Sequence, residues 1–349
     1  MDPTDLEPWL DAQPRLLAEV LRRIAGACAR ISRSAARGMA PVVAAGPGAP
    51  DEQPRHPLGQ VAEREFATAL ATCPNVAAWA SEETCGITVS EEHGSGGAYL
   101  VNYDPLDGAS GIEANGVVGS IFSVLPHLFR GTPASDAAFM QPGRRQVAAG
   151  YCLYGPSTVL VIATAQGVSL FTLDPDAPAG EDRWLLARAD VHVPPTTNEF
   201  AVNVANQRYW EKPVQRYVAE CLAGAAGPRG RDFDMRWTAS TVAEVHRILA
   251  RGGVVLHPRD NQEPYRPGRL RLMFEAAPLA FVMEKAGAAA SNGTAPLLDL
   301  VPDALQQRVP VIMGSADEVE RIVGYHADAC ENVSWQLFKT RSLFIQPNA

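Results

Sequence analysis

Leu17, Val20, Leu21, Ile24, Cys28 and Ile31 recur at helical spacing, which predicts an amphipathic helix over residues 15–33 with Arg22, Arg23 and Arg30 on its wet side. This helix stops before Gly38. Pro41, Pro47, Pro50, Pro54 and Pro57, with Gly46 and Gly48, punctuate the next stretch too densely for a regular element, so 41–57 reads as a mobile loop. A second helix is expected over 58–72. From Tyr99 the pattern changes, and Tyr99–Tyr103, Val117–Leu125, Val147–Tyr154 and Thr158–Thr164 read as strands separated by Gly, Pro or Asp turns.

The breaker-rich segment Asp174–Asp182 and Pro194-Pro195 place a seam near residue 190, which divides the chain into units 1–190 and 191–349. Beyond it helices and strands alternate. Pro213–Leu222 and Ser240–Ala250 read as helices, Val254–His257 and Leu270–Phe274 as short buried strands, and Pro278–Ala286 as a helix between a first-turn Pro and the terminating Gly287. The last helix opens at Ser315 and Glu318, the spacing of a capping box. Such alternation favours a layered α/β architecture over a bundle or a sandwich.

At about one domain per ~150 residues, 349 residues suggest two domains in one body. With 46% hydrophobic and 20% charged residues, no run of 18 apolar residues and no signal-like leader, a soluble cytoplasmic protein is expected, neither secreted nor membrane-spanning. Thirty Lys and Arg against 39 Asp and Glu give a net charge of −9, which argues against a nucleic-acid partner and leaves small anions open. Cys28, Cys73, Cys85, Cys152, Cys221 and Cys330 are scattered with no C-x-x-C pair, as expected of reduced thiols.

The densest chemical signal is Tyr99-Leu-Val-Asn-Tyr-Asp104-Pro105-Leu106-Asp107-Gly108-Ala109-Ser110, an apolar strand ending in two carboxylates and a Gly turn. Pro105 stiffens the backbone between the acids and leaves the Leu106 carbonyl free as an oxygen ligand, a donor set that suits Mg²⁺. Taken alone, Asp-Pro-x-Asp-Gly is also an ordinary surface turn. Two further acidic ends shift the balance: Ser81-Glu82-Glu83 closes Val76–Ala80, and Glu275 closes Leu270–Phe274. Ligands of α/β folds collect beyond such strand ends.

These residues resemble the class I fructose-1,6-bisphosphatases, a family of sugar phosphatases. The resemblance is carried by Ser81-Glu82-Glu83, Asp104-Pro-Leu-Asp-Gly108, Gln141-Pro-Gly-Arg144, Ala148-Ala-Gly-Tyr151, Phe200-Ala-Val-Asn203, Val242-Ala-Glu-Val-His-Arg247, Gly268-Arg-Leu-Arg-Leu272 and Val282-Met-Glu-Lys-Ala-Gly287, in family order over about residues 10–328. It implies a layered αβαβα fold, a homotetramer, two or more Mg²⁺ per subunit, and removal of the 1-phosphate of fructose 1,6-bisphosphate. The resemblance puts Glu82, Asp104, Leu106, Asp107 and Glu275 on metal positions and Glu83 and Asp104 on water-activating ones. It also puts Asp107, Gly108, Ala109 and Ser110 at the 1-phosphate, and Asn203, Arg236, His257, Arg269 and Arg271 at the 6-phosphate and sugar, with Arg236 reaching across a subunit interface.

The chain departs from the family at several of these places. Ala109, Gly111 and Glu113 replace Ser, Asn and Asp after the acids, His257-Pro258 replaces Tyr-Pro, Trp237 stands at a neighbouring aromatic position, and Ala277 replaces Asn. An Asp that orients the attacking water in the family falls on Gly59 when the chain is aligned without gaps from Glu82, and a preceding acid falls on Gln53 beside Asp51 and Glu52. A shifted register would instead recruit Glu52, Glu63 or Glu65. Ala98-Tyr99 replaces the Lys-Tyr of AMP-inhibited members, so the resemblance does not carry an AMP site. Three readings therefore stand: an active fructose-1,6-bisphosphatase, a catalytically impaired paralogue serving as a binding or structural subunit, and a phosphatase for sedoheptulose 1,7-bisphosphate. Gluconeogenic and carbon-fixation roles are both open.

Overall fold

In the computed structural model, which describes residues 5–38, 56–178, 180–262 and 267–339, the last eleven by backbone alone, a short helix α1 (Leu6–Asp11) leads into α2 (Arg15–Ala35). The predicted apolar stripe is buried: Leu17, Val20, Leu21, Ile24, Cys28 and Ile31 are at most 3% exposed. Burial of one such side chain contributes about 1.5–3 kcal/mol, which outweighs any intrinsic helix preference. Helix α3 (Pro57–Ala71) has Pro57 in its first turn and is capped by His56 Nδ1, which accepts from the Leu58 N–H. Most of the breaker-rich stretch before it, including Asp51, Glu52 and Gln53, lies outside the described residues.

β1 (Val76–Ser81), β2 (Ile87–Val89), β3 (Tyr99–Asp107), β4 (Val118–Pro126), β5 (Ala148–Tyr154), β6 (Thr158–Thr164), β7 (Gly167–Leu173) and β8 (Trp184–Arg188) form one sheet in the order β2-β1-β3-β4-β5-β6-β7-β8. Only the β1–β3 pair is parallel. A one-turn helix α4 (Asp136–Phe139) interrupts the meander between β4 and β5. β9 (Glu199–Ala201), α5 (Lys212–Leu222), β10 (Asp234–Met235), α6 (Thr241–Arg251), β11 (Val254–His257), β12 (Leu270–Arg271), α7 (Ala277–Lys285), β13 (Ala289–Ser291), β14 (Arg308–Val309), β15 (Val311–Gly314) and α8 (Ala316–Lys339) follow. Of these strands, five form a second sheet in the order β10-β9-β11-β15-β13.

Both sheets bury both faces. α2 and α3 cover the first sheet through Trp79, Val101, Tyr103, Phe122 and Ile162. On its other side Ile121, Tyr151 and Val161 meet Val245, Ile248, Leu279 and Val282 of α6 and α7, which in turn pack on Ala201, Val255 and Met313 of the second sheet. α5 and α8 close the outer face of that sheet around Phe200, Leu256, Tyr217 and Ile322. The result is the five-layer αβαβα stack that the resemblance implied.

Three local expectations are corrected. Leu270–Phe274 is not a strand: only Leu270 and Arg271 pair, with Val309 and Arg308, after which Leu272–Ala276 wind into a π-helical turn that runs into α7. Ser315 and Glu318 form no capping box. The Ser315 hydroxyl donates to the Pro194 carbonyl at 2.7 Å, and the Glu318 carboxylate accepts from Arg229 and Tyr217 in the interior. The strand from Tyr99 does not stop at Tyr103 but continues through Pro105 to Asp107.

Candidate active site

The end of β3 places the first two acids. In a regular strand residues three apart face opposite sides of the sheet. Here Asp104 pairs with Ile121 and Asp107 with Gly119, so three steps of β3 match two of β4. The extra residue is a bulge, and it turns both aspartates to one side. Pro105 tolerates the broken ladder because it has no N–H to leave unpaired. Its carbonyl accepts from the Ser120 hydroxyl at 2.7 Å, and Asp104 Oδ1 accepts from the Leu106 N–H at 2.9 Å.

The π turn brings in the third acid. Glu275 accepts from the Arg271 N–H at 2.7 Å, and carboxylate oxygens of Asp104, Asp107 and Glu275 lie within 4.8 Å of one another, all three residues being buried. Oxygens on opposite sides of one Mg²⁺ lie about 4 Å apart, so this hard-oxygen set fits a divalent cation. Its electrostatics ask for one. Burial, reinforced by Asp107, Glu275 and Glu83, holds the Asp104 carboxyl well above its ordinary range, and burial pushes Glu275 up to about 7. Burial also raises Asp107, against hydrogen bonds from the Val242 N–H at 2.9 Å and the Ser240 hydroxyl at 3.0 Å at the start of α6.

A pH signature follows. Without metal, the folded chain retains carboxyl protons that an unfolded chain sheds near pH 4, so stability should fall as pH rises from about 4 through about 7. Added Mg²⁺ opposes that loss, and the gain in melting temperature from Mg²⁺ should widen between about pH 6 and about pH 8. Calorimetry with and without chelator measures it; an equal gain at both pH values would exclude these acids as the cation site.

Glu82 and Glu83 follow β1, beside β3. The Glu82 carboxylate pairs with Arg271, and Glu83 lies near enough for its charge to act on Asp104. Gly108 is left-handed at φ 82°, and a side chain there would press on Ser240 at 2.9 Å, so glycine is required where the chain turns into the helical turn Ala109–Ala114. The opening N–H groups of such a turn, those of Ala109 and Ser110, have no partner within it.

The predicted sugar-side residues form a looser set. Trp237 and His257 have ring centroids 5.6 Å apart. Burial, then the nearby Arg269, lowers the His257 imidazole to about 4, so it is neutral at neutral pH. Arg269 is half-exposed and pairs with Asp260 at 3.2 Å. Asn203 caps its own turn through the Ala205 N–H, and Arg236 faces Glu199 and Asp234 rather than the acids. Gly59 packs on the residue that precedes Asp107: a Cβ there would lie 3.9 Å from Cδ2 of Leu106. Glu65 pairs with Arg30 at 2.6 Å, away from the acids.

Sequence reasoning named Glu63 only as a stand-in for the water-orienting acid and Ser81 only as the head of its motif, and missed Ser240 and Ser120 as supports of the site. Ser240 had a signal, a capping residue before an apolar periodic run; its hydroxyl also accepts from Ala243 N–H.

Comparison with known proteins agrees with the geometry. Residues 16–184 match the model of the fructose-1-6-bisphosphatase N-terminal domain and residues 193–327 that of the C-terminal domain. A class 1 fructose-1,6-bisphosphatase of Methylibium petroleiphilum is 67% identical over 351 aligned residues, all of each chain. The crystal structure of Leishmania major fructose-1,6-bisphosphatase in holo form is 30% identical with a TM-score of 0.84, covering 94% of this chain and 100% of that one. The T-state structure of the same enzyme gives 29%, 0.82, 93% and 99%. The order of the motifs, the five layers, the acid cluster and these full-length matches lead to one conclusion: this chain belongs to the fructose-1,6-bisphosphatase family.

Proposed function

We propose that this chain hydrolyses fructose 1,6-bisphosphate to fructose 6-phosphate and phosphate. The observation that carries this reading is the buried convergence of Asp104, Asp107 and Glu275 in a chain 67% identical to a class 1 fructose-1,6-bisphosphatase. That identity does not favour an impaired paralogue. Family membership brings divalent-metal use; we assign Mg²⁺, two or more ions per subunit, to Glu82, Asp104, Asp107, Glu275 and the Leu106 carbonyl. A divalent cation bound there supplies positive charge to the phosphoryl oxygens and lowers the pKa of a bound water.

The protein's own groups bind, orient and move protons. Backbone N–H groups from Gly108 to Ser110 donate to the 1-phosphate, and Asp107 holds the base of that turn against α6. Arg269 and Arg236 offer guanidinium forks to the 6-phosphate, Arg236 from a neighbouring subunit of a homotetramer, with Asn203 beside them. Neutral His257 offers a hydrogen bond without charge, and Arg271, which pairs with Glu82, is the guanidinium that would contact the sugar. Glu83 and Asp104 orient the attacking water and accept its proton. The units 1–190 and 191–349 then supply the acids and the distal-phosphate contacts respectively, apart from Glu275. We place the enzyme in the cytoplasm; no described helix is long and apolar enough to cross a membrane.

Phosphate release by the purified protein tests this. Fructose 1,6-bisphosphate should be hydrolysed with Mg²⁺ and not with chelator. Turnover only of sedoheptulose 1,7-bisphosphate would move the substrate assignment, and no turnover of either would overturn the reading.

A further inference from the structure

Helix α3 reaches the acid-bearing strands through one carboxylate with two hydrogen bonds. Glu63 Oε1 accepts from the Tyr103 hydroxyl at 2.8 Å, and Oε2 accepts from the Ser81 hydroxyl at 2.5 Å. Each donor immediately precedes acids in the chain: Ser81 precedes Glu82 and Glu83, and Tyr103 precedes Asp104. The Ser81 oxygen also accepts from the Glu83 N–H at 3.2 Å, and the Tyr103 carbonyl accepts from the Glu82 N–H at 3.0 Å. The Tyr103 ring is fully buried and stacks on Phe66, one turn beyond Glu63, at 4.7 Å and 12°. Glu65, two residues along the same helix, turns away to Arg30.

We infer that Glu63 is a positioning residue for the reaction, joining the end of β1 to the middle of β3 so that Glu82, Glu83 and Asp104 converge on one cation. Packing alone does not call for a carboxylate here, since apolar residues replacing Glu63 and its two hydroxyl partners together would join α3 to the strands as well. A half-buried carboxylate with both oxygens committed to hydroxyls fixes two side-chain rotations, and through them the backbone that carries the acids. Groups that orient metal-binding carboxylates without touching the ion typically change affinity or activity by about 10–100-fold when removed. The inference rests on the reading of Glu82, Glu83 and Asp104 as the metal and water site.

Glu63→Gln keeps the size of the side chain and one acceptor oxygen but turns an N–H₂ group toward one of the two hydroxyls. It should raise the Mg²⁺ concentration for half-maximal activity about tenfold and lower kcat, with KM for fructose 1,6-bisphosphate within about twofold of wild type. Tyr103→Phe removes one of the two donors with no change of charge and should shift Mg²⁺ half-saturation the same way. The double variant should shift it by less than the product of the two single shifts, because both weaken the same link between α3 and the strands. Glu65→Gln should leave the Mg²⁺ response unchanged.

Glu63→Gln and Tyr103→Phe variants that melt earlier but keep the wild-type Mg²⁺ response would overturn the inference, reducing Glu63 to a clamp between helix and sheet. Asp104→Asn separates this failure from a deeper one. If Asp104→Asn abolishes Mg²⁺-dependent turnover while the Glu63 variant responds normally, only the positioning role falls. If the Mg²⁺ requirement survives Asp104→Asn, the acid-site reading falls and the Glu63 role with it.

Discussion

Asp104→Asn should lower kcat by about 10³-fold while making the metal-free protein more stable. The first half follows from position: Asp104 is buried among two other acids, and in the proposed reaction it supplies a formal charge where the cation and the attacked phosphate would meet. Removing one preorganised electrostatic contact of this kind typically costs about 3–4 kcal/mol of transition-state stabilisation, and about 1.4 kcal/mol is tenfold. The second half follows from the raised carboxyl, whose charged form is disfavoured by burial and by Asp107 and Glu275. An amide keeps the oxygen that accepts from the Leu106 N–H and introduces no charge, so that penalty disappears. At neutral pH with chelator the variant should melt above wild type, and added Mg²⁺ should raise its melting point less. Loss of activity accompanied by loss of stability would instead make Asp104 a structural residue.

Gly59→Asp is expected to raise kcat at neutral pH, by about tenfold or more. The family resemblance places a water-orienting acid here, and general-base assistance is typically worth about 10²–10⁴-fold. Gly59 lies in the first turn of α3, and a Cβ would make ordinary contact with Leu106, the residue between Pro105 and Asp107, so the carboxylate can be added without displacing backbone. The helix also favours the change, since Gly59 is the third residue of α3 and an acid in the first turn interacts favourably with the helix N-terminus. The pH dependence of kcat separates the outcomes: a new base should extend activity to lower pH, whereas mere stiffening of α3 should leave the profile where it was. No change, together with a kcat profile that collapses in Glu63→Ala at neutral pH but recovers at alkaline pH, would show that Glu63 itself serves as the base.

The parts of this fold that were legible in the sequence are those settled by neighbours in the chain. The stripe from Leu17 to Ile31 needs only a single apolar partner surface, and Thr158–Thr164 is a β-branched run between turns; both have the expected form. Gly167–Leu173 and Trp184–Arg188 were missed because their polar and apolar positions follow the outer rim of the sheet rather than a clean alternation. The run Leu272–Phe274 is uniformly apolar, and periodicity cannot tell a buried strand from a buried turn of helix. The apparent capping box at Ser315 failed because tertiary partners, Arg229 above all, outbid a local contact for Glu318. At the site the acids and Gly108 were readable from spacing, whereas Glu63 acts through residues 18 and 40 positions away. No local pattern encodes such a link.

The bulge in β3 makes the number of residues between Asp104 and Asp107 as consequential as their identities. Were Leu106 absent, the strand would regain an unbroken ladder and both aspartates would survive in the sequence. They would then sit two apart on one side, the second still opposite Gly119, but the centre would lose the bulge and with it the Leu106 carbonyl that we assign to the cation. Were one residue added, the parity would reverse and the carboxylates would part to opposite faces. Point substitutions therefore sample only some of the ways in which this centre can be lost. Chain length between the acids is itself under constraint, and a relative that retains every acid but differs in that count should not be assumed to share the chemistry.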